Sequence, residues 1–410
     1  MKSEAFETDF PSETIKEGKV KVLVPKLKAF VTEPSEYAPS KAPVFYNPVM
    51  EFNRDLSVLA LLAYQNMANR KIRICEPLAS SGIRGLRYAA EIQGVAKVLI
   101  NDINTQAVKL AKHNVELNNV QDRVRVSHKD ANCLLSCHGK PRQRFDVVDL
   151  DPFGTPVPYI DSAIRALHNK GLFALTATDL APLCGVHPKA CIRKYGGRPL
   201  RTEYCHELAV RLMAGCTATL AAKHDIGIHV VFSHSTDHYI RTYVEIGYGA
   251  KKADESVKNL GYVLHCFNCL HRETTLNLFN RNTECPECRA SMDSAGPLWL
   301  GKILEKQFCQ AMMAENKHVA FRNSVIIAKL LSLTLGESEA PPTYYVLDKL
   351  SAKLTLPAPP VATILKALEG SGFQAVQTHF NSRAIKTNAT ATEMQQIVKS
   401  VNFSISKKKQ

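Results

Sequence analysis

From about residue 49 to about residue 249, apolar runs of strand length alternate with stretches whose apolar positions recur every three or four residues. Residues 71–76, 96–102, 123–128, 145–149 and 171–177 read as strands, and 85–93, 105–118 and 159–169 as the helices between them. Strands alternating with helices predict βαβ units, a parallel sheet and an α/β, doubly wound, Rossmann-like domain. In such folds ligands gather at the carboxyl ends of the strands, so the residues just after each strand are where chemistry is sought first. A further helix is expected over 50–65, announced by Asn47-Pro48, an N-cap donor followed by proline at the first helical position.

Either side of this core the pattern changes. Residues 1–45 are proline-rich and charged and read as an extended N-terminal arm. Residues 251–300 hold four cysteines and few aliphatics, the composition of a small metal-stapled module. Beyond them, helices are expected over 299–314, 344–354 and 360–369 and a hairpin over 373–386. Helix, helix, hairpin describes a small α+β, winged-helix-like C-terminal domain. The resulting division is 1–45, 46–250, 251–300 and 301–410, with no internal repeat.

Composition narrows the class. Of 410 residues 45% are apolar, which excludes a largely disordered chain. The longest unbroken apolar run, from Val58 to Tyr64, is far short of a bilayer span, and the acidic start MKSEAFETDF lacks a secretory n-region. A soluble, cytoplasmic protein with no membrane partner is expected. Lys and Arg number 52 against 38 Asp and Glu, a formal charge of +14. Residues 301–410 alone carry 14 basic against 7 acidic side chains, so the C-terminal domain is expected to attract a polyanion, nucleic acid first. Twelve cysteines without an export signal point to metal ligands, core packing or catalysis rather than disulfides.

The first strand runs into Glu76-Pro77-Leu78-Ala79-Ser80-Ser81-Gly82-Ile83-Arg84-Gly85. Small residues at 79–82 let backbone approach a ligand, and the following helix offers free N–H groups. Neither a GxGxxG fingerprint nor a Walker lysine is present, so phosphate recognition is not favoured. Asp102 ends the second strand, 20 residues past Gly82, where a carboxylate suits a ribose diol. Asp130-Ala131 follows the third strand, where a carboxylate and a backbone N–H suit an adenine edge. Singly, each aspartate is equally a helix cap. The series over three strands fits an adenosine ligand without phosphates, and S-adenosylmethionine is one.

After the fourth strand comes Asp151-Pro152-Phe153-Gly154. The segment resembles the Asp/Asn-Pro-Pro-Tyr/Phe motif of methyltransferases that modify exocyclic amines, although alone it also makes an ordinary turn. An aniline-like amine is a poor nucleophile because its lone pair is delocalised into the ring. A carboxylate accepting one amine hydrogen and a carbonyl accepting the other favour the pyramidal nitrogen needed for attack on a sulfonium methyl. Asp151 is the candidate acceptor and proton sink, the Pro152 carbonyl its companion, and Phe153 a stacking surface for an extruded base. Carbon methylation of a pyrimidine needs a cysteine nucleophile, and none stands beside this motif.

With these residues assembled, the chain resembles the tRNA (guanine-26) N2-dimethyltransferase family. The resemblance rests on FYNPVMEFNRD, SSGIRGLRYA, NDI, DLDPFGTPVPYIDSAIRA and TATDLAPLCGVHPKACIRKYGG, which together span roughly 45–250. It implies that 46–250 is an S-adenosylmethionine-dependent methyltransferase domain. It further implies that Arg54, Arg84, Asp102, Asp130 and Ala131 contact the cofactor. Asp151 is then catalytic, and Phe45 and Phe153 lie near the target guanine. The expected reaction places one or two methyls on the 2-amino group of guanine 26 of tRNA, with no obligate protein partner. Two alternatives stand beside it: a methyltransferase for an exocyclic amine in another RNA or DNA, and a non-catalytic RNA-binding or chaperone protein.

Cys266-x2-Cys269 and Cys285-x2-Cys288 predict two knuckles that close a four-thiolate structural zinc site. Cys184, Cys191, Cys205 and Cys216, with His187 and His206, match no zinc spacing and read as core thiols. Arg193, Lys194 and Arg198, after the fifth strand, are candidate phosphate contacts.

Overall fold

The computed structural model describes residues 8–31, 33, 38–278 and 284–407. Residues 1–7, 32 and 34–37 of the expected arm, residues 279–283 of the expected metal module and the last three residues lie outside the described residues. Two compact units emerge. One comprises the chain up to Pro152 with Pro158–Leu175 and Ala311–Lys329, the other Phe153–Val157, Thr176–Gln310 and Leu330 onward.

The first unit begins with a correction. Within the expected arm, β1 (Ser12–Glu17) and β2 (Val20–Pro25) form an antiparallel hairpin in which Val20, Val22 and Val24 are buried. Their period of two, broken by Gly18 at φ +54°, is the signature of a half-buried strand pair. Each buried valine contributes roughly 1.5–3 kcal/mol, which an arm in solvent would forgo. Helix α1 (Glu51–Ala68) follows, and then the alternating core: β3 (Ile72–Glu76), α2 (Ile83–Glu91), β4 (Val95–Asp102), α3 (Thr105–Leu117), β5 (Val124–His128), α4 (Ala131–Cys137), β6 (Phe145–Leu150), α5 (Val157–Arg165) and β7 (Leu167–Ala177). The hairpin docks on α3, whose Asn114 exchanges two hydrogen bonds with the Leu23 backbone.

Strands β3 to β7 are parallel, in the order β5-β4-β3-β6-β7. Ile74 lies opposite Val98 on one side and Val147 on the other. All six residues of β6 are buried, as expected for a strand covered on both faces. The direction in which successive strands are added reverses between β3 and β6. The ends of these two strands, Glu76 and Leu150, therefore flank the topological switch point where such sheets bind ligands.

The second unit holds α6 (Leu180–Leu183), α7 (Pro188–Tyr195) and the largely buried α8 (Cys205–Ala222). An antiparallel pair follows, β8 (Ile226–Thr236) with β9 (Tyr239–Tyr248), and then α9 (Ala250–Val257). A three-stranded sheet of β10 (Leu260–His265), β11 (Arg272–Thr275) and β12 (Asp293–Trp299) has the order β11-β10-β12. Trp299 thus ends a strand instead of starting a helix. Helix α10 (Lys306–Asn316) begins only after Gly301, where a Cβ would sit 2.8 Å from the Trp299 ring. Helix α11 (Ser324–Gly336) had no sequence expectation.

The last lobe keeps the expected order of helix, helix and hairpin in α12 (Leu347–Lys353), α13 (Val361–Gly370), β14 (Ala375–Gln377) and β15 (Ala384–Thr387). It adds β13 (Tyr345–Val346), paired with β15, and a long α14 (Ala391–Lys407). Ile364, Leu368, Ile385, Met394 and Val398 make its core. No described helix is long and apolar enough to cross a membrane.

Candidate active site

The loop after β3 is shaped by two left-handed residues, Ser80 at φ +49° and Gly82 at φ +75°. Gly85, one turn into α2, permits close packing of helix on sheet: a Cβ there would lie 2.7 Å from both Glu76 Oε2 and Ile100 Cγ1. The Ser80 N–H donates to Asp102 Oδ2 at 2.7 Å, and Asp102 Oδ1 accepts from the Asn104 N–H at 2.9 Å. Asp102 therefore fixes the loop and its own strand end together. A carboxylate has about four acceptor positions, so both oxygens keep capacity for a ligand hydroxyl. The Ser80 hydroxyl donates to the Phe45 carbonyl at 2.7 Å, which pins Phe45 beside the same loop.

Asn101, which the sequence reading passed over, ties three strand ends. Its Nδ2 donates to the Pro77 and Lys129 carbonyls, and its Oδ1 accepts from the Lys129 N–H. Asp130 caps α4, accepting from the Cys133 N–H at 2.9 Å, and remains exposed, while Ala131 is buried. Both halves of the cap-or-ligand alternative are thus physically open at Asp130.

Asp151 stands one residue past β6 with 23% of its side chain exposed, and its Oδ2 accepts a charged hydrogen bond from Arg84 Nη2. Arg84 is buried and held from α1, donating to Ser57 Oγ at 2.7 Å and Asn53 Oδ1 at 2.9 Å. Glu76 and Asp149 lie 3.9 Å from the same guanidinium. Burial works against the Arg84 charge, but Asp151 and Asp149 outweigh it and hold its pKa well above the ordinary value. Burial pushes the Glu76 carboxyl up to about 8, Asp149 and Asp151 adding to the shift and Arg84 opposing it. Near neutrality Glu76 is therefore protonated, leaving Arg84 to neutralise Asp149 and Asp151. Asn53 and Ser57 were readable only as two of several polar residues in the first half of the helix, and nothing local reveals their partner.

Arg54 is buried in a different network. Its Nε and Nη2 each reach Glu17 at 2.6 Å, and Nη2 also donates to the Asn47 carbonyl. Arg87 joins Glu17, Asp55 and Glu91. The hairpin residue Glu17 so becomes the counter-charge for two arginines.

In the second unit, Gly154 of the Asp-Pro-Phe-Gly segment exchanges two backbone-directed bonds with Thr178. Its N–H donates to Thr178 Oγ1 at 2.8 Å, and its carbonyl accepts from the Thr178 N–H at 2.9 Å. Phe153 is exposed. Asp179 accepts from the Tyr195 hydroxyl at 2.6 Å and from Lys194 Nζ at 3.0 Å. Lys194 thus has an internal carboxylate partner, as does Arg198, 3.3 Å from Asp293; Arg193 is exposed.

The sulfurs of Cys266, Cys269, Cys285 and Cys288 all lie within 4.8 Å of one another. The two knuckles match: Leu270 N–H to the Cys266 carbonyl and Arg289 N–H to the Cys285 carbonyl, each 2.9 Å, with Leu270 and Arg289 both left-handed. Tetrahedral zinc with sulfur at about 2.3 Å requires sulfurs about 3.8 Å apart, and the closest pairs here are 3.4 Å. The donor set fits. The flanking histidines point elsewhere, His265 to the Tyr204 hydroxyl and His271 to Glu287.

Comparison with known proteins gives one consistent answer. The family model described as N2,N2-dimethylguanosine tRNA methyltransferase matches residues 18–399. A tRNA (guanine(26)-N(2))-dimethyltransferase of Methanobrevibacter smithii is 42% identical over 397 residues, covering 97% of this chain and 99% of its own. An Aquifex aeolicus protein named tRNA (guanine(26)-N(2)/guanine(27)-N(2))-dimethyltransferase is 37% identical, covering 93% and 94%. Among solved structures, Trm1 of Pyrococcus horikoshii in complex with S-adenosyl-L-methionine superposes with a TM-score of 0.82 at 33% identity, covering 94% of this chain and 99% of that one.

Proposed function

The chain belongs to the N2,N2-dimethylguanosine tRNA methyltransferase family, and from that membership we propose how its site works. It is an S-adenosylmethionine-dependent tRNA methyltransferase that places one or two methyl groups on the 2-amino group of guanine 26. S-adenosylmethionine supplies an electrophilic methyl on a sulfonium. Everything else falls to the chain's own residues.

Asp102 receives the ribose hydroxyls, and Asp130 with the Ala131 N–H reads the adenine. Arg84 and Arg54 stand on the cofactor side, with Arg54 held in orientation by Glu17. Asp151 accepts one hydrogen of the guanine amine and the Pro152 carbonyl the other, which turns the nitrogen lone pair out of the ring plane. Arg84 fixes the rotamer of Asp151. A carboxylate suffices as the acceptor, since a methylated, protonated aromatic amine is a strong acid and gives its proton to a weak base. Phe153, two residues on in the chain, and Phe45 supply ring faces for the extruded base. Holding amine and methyl in line supplies much of the rate. Cys266, Cys269, Cys285 and Cys288 bind a structural zinc, and the basic residues of 301–410 bind the tRNA body.

The observation that supports this reading best is the placement of Asp151 at the switch point, about a quarter exposed and locked by a buried arginine. The test is mass spectrometry of nucleosides from unmodified tRNA incubated with enzyme and labelled S-adenosylmethionine. Labelled N2-methyl- and N2,N2-dimethylguanosine are expected, lost when guanine 26 is replaced by adenine. Equal labelling of the replaced tRNA would overturn the position assignment.

A further inference from the structure

Of the cysteines that read as core thiols, two meet a histidine. Cys184 Sγ, Cys205 Sγ and a ring nitrogen of His206 lie within 4.8 Å of one another. Cys191 and Cys216 are not part of this group. Cys184 follows the last residue of α6, and Cys205-His206 opens α8, some twenty residues later. They converge because Gly185 lets the two segments touch. Its φ is +87°, and a Cβ there would sit 2.7 Å from the Arg201 N and 2.9 Å from the Leu200 carbonyl carbon. Tyr204, just before the pair, is buried and anchored through its hydroxyl to His265 at 2.9 Å. The three donors are thus set by backbone packing rather than by flexible side chains.

We propose that Cys184, Cys205 and His206 form a second metal site, separate from the four-cysteine knuckle, for one divalent ion of the zinc class. Two sulfurs and an imidazole nitrogen within this distance of one another suit tetrahedral coordination, where donor atoms lie about 3.5–3.8 Å apart. The soft donor set selects zinc-like ions over magnesium or calcium. Cys184 is buried while Cys205 and His206 are partly exposed, so the fourth position faces the solvent side and takes water or a small anion. Two thiols give up their protons on binding, and the bound cation is neutralised by the two thiolates. The site then clamps the segment carrying Asp179 to the start of α8.

The experiment measures metal per chain by mass spectrometry in full-length protein purified anaerobically. Relative to wild type, Cys184→Ser/Cys205→Ser should lose about one equivalent, whatever the occupancy of the knuckle. The second readout is protein produced with cobalt. His206→Cys should keep the metal and intensify the thiolate-to-cobalt band by adding a third thiolate, which also decides the matter should the double variant fail to fold. Equal metal content in wild type and the double variant, or a cobalt spectrum unchanged in His206→Cys, overturns the proposal. So does a count of free thiols two short of the twelve in the sequence and restored by reductant, because that means a Cys184–Cys205 disulfide.

Discussion

Each unit contains a buried cluster of charge, and the two are built from the same kinds of side chain with opposite results. In the first, Arg84 gathers Asn53, Ser57, Asp149 and Asp151, and one member, Asp151, keeps part of its carboxylate in solvent. In the second, Glu207 accepts from Arg211 and Lys386 at 2.8 Å, while Glu337 accepts from Thr378 at 2.6 Å and pairs with His379. The side chains of Glu207, Glu337 and Lys386 are all buried. A low-dielectric setting strengthens every interaction inside it. A closed cluster spends that strength on holding elements together; an open one presents a fixed, partly neutralised charge to whatever enters. The difference is one partly exposed carboxylate side chain, and it separates a structural network from a candidate catalytic one.

The comparison is broken most sharply at Asp151. Asp151→Ala should lower kcat by roughly 10²–10⁴-fold, with S-adenosylmethionine affinity by calorimetry nearly unchanged and the thermal midpoint lowered, because buried Arg84 loses one of its carboxylate partners. Full activity in this variant removes the proposed acceptor. Next in size is Glu207→Ala, which leaves Lys386 and Arg211 buried without their carboxylate. A loss of about 3–5 kcal/mol is expected, read by denaturant unfolding, with the activity of the remaining folded fraction preserved. A variant as stable as wild type would mean the closed cluster holds nothing together.

The two clusters should also respond oppositely to pH. Lys386 and Arg211 overcome the burial of Glu207 and hold its carboxyl at about 2, below the ordinary 4.5. Its stabilisation is therefore complete above pH 4.5 and lost as pH falls toward 2. Glu76 is raised to about 8, chiefly by burial. The folded state then binds its proton more tightly than the unfolded state, so its contribution is complete below pH 4.5 and lost as pH rises through 8. Glu76→Gln keeps an acceptor for the Gly85 N–H and cannot ionise, so unfolding midpoints between pH 5 and 8 should fall less steeply than in wild type, with activity retained. An identical slope in both proteins would mean that Glu76 is charged.

What the sequence revealed divides along the same line. The strands of the parallel sheet, the positions of Asp102, Asp130 and Asp151 at strand ends and the clustering of the four knuckle cysteines were legible because each is encoded by a local pattern: periodicity, a position after a strand, or a fixed spacing. Both buried clusters were not. Arg84 finds Asn53 and Ser57 some thirty residues away, and Glu207 finds Lys386 across 179 residues. The hairpin at Ser12–Pro25 was locally legible by its alternating valines and was obscured by the charge and proline around it. Helix α11, SVIIAKLLSLTLG, shows no polar face to give a period.

The smallest effect concerns the segment that leaves the open cluster. Gly154 follows Phe153 with φ +73°, and a Cβ at this position would meet nothing within 4 Å. Space therefore does not demand glycine here; backbone conformation does. An L-residue in the left-handed region costs about 1–2 kcal/mol, and asparagine tolerates that region better than alanine. Gly154→Ala should relax the segment and strain its paired bonds to Thr178, lowering kcat by roughly ten-fold, whereas Gly154→Asn should recover much of the rate. Thr178→Val keeps the side-chain shape but removes the acceptor for the Gly154 N–H, and it should resemble Gly154→Ala. If alanine and asparagine at 154 behave alike, the conformation of this turn is not what positions Phe153. The open cluster would then owe its activity to the Asp151–Arg84 pair alone.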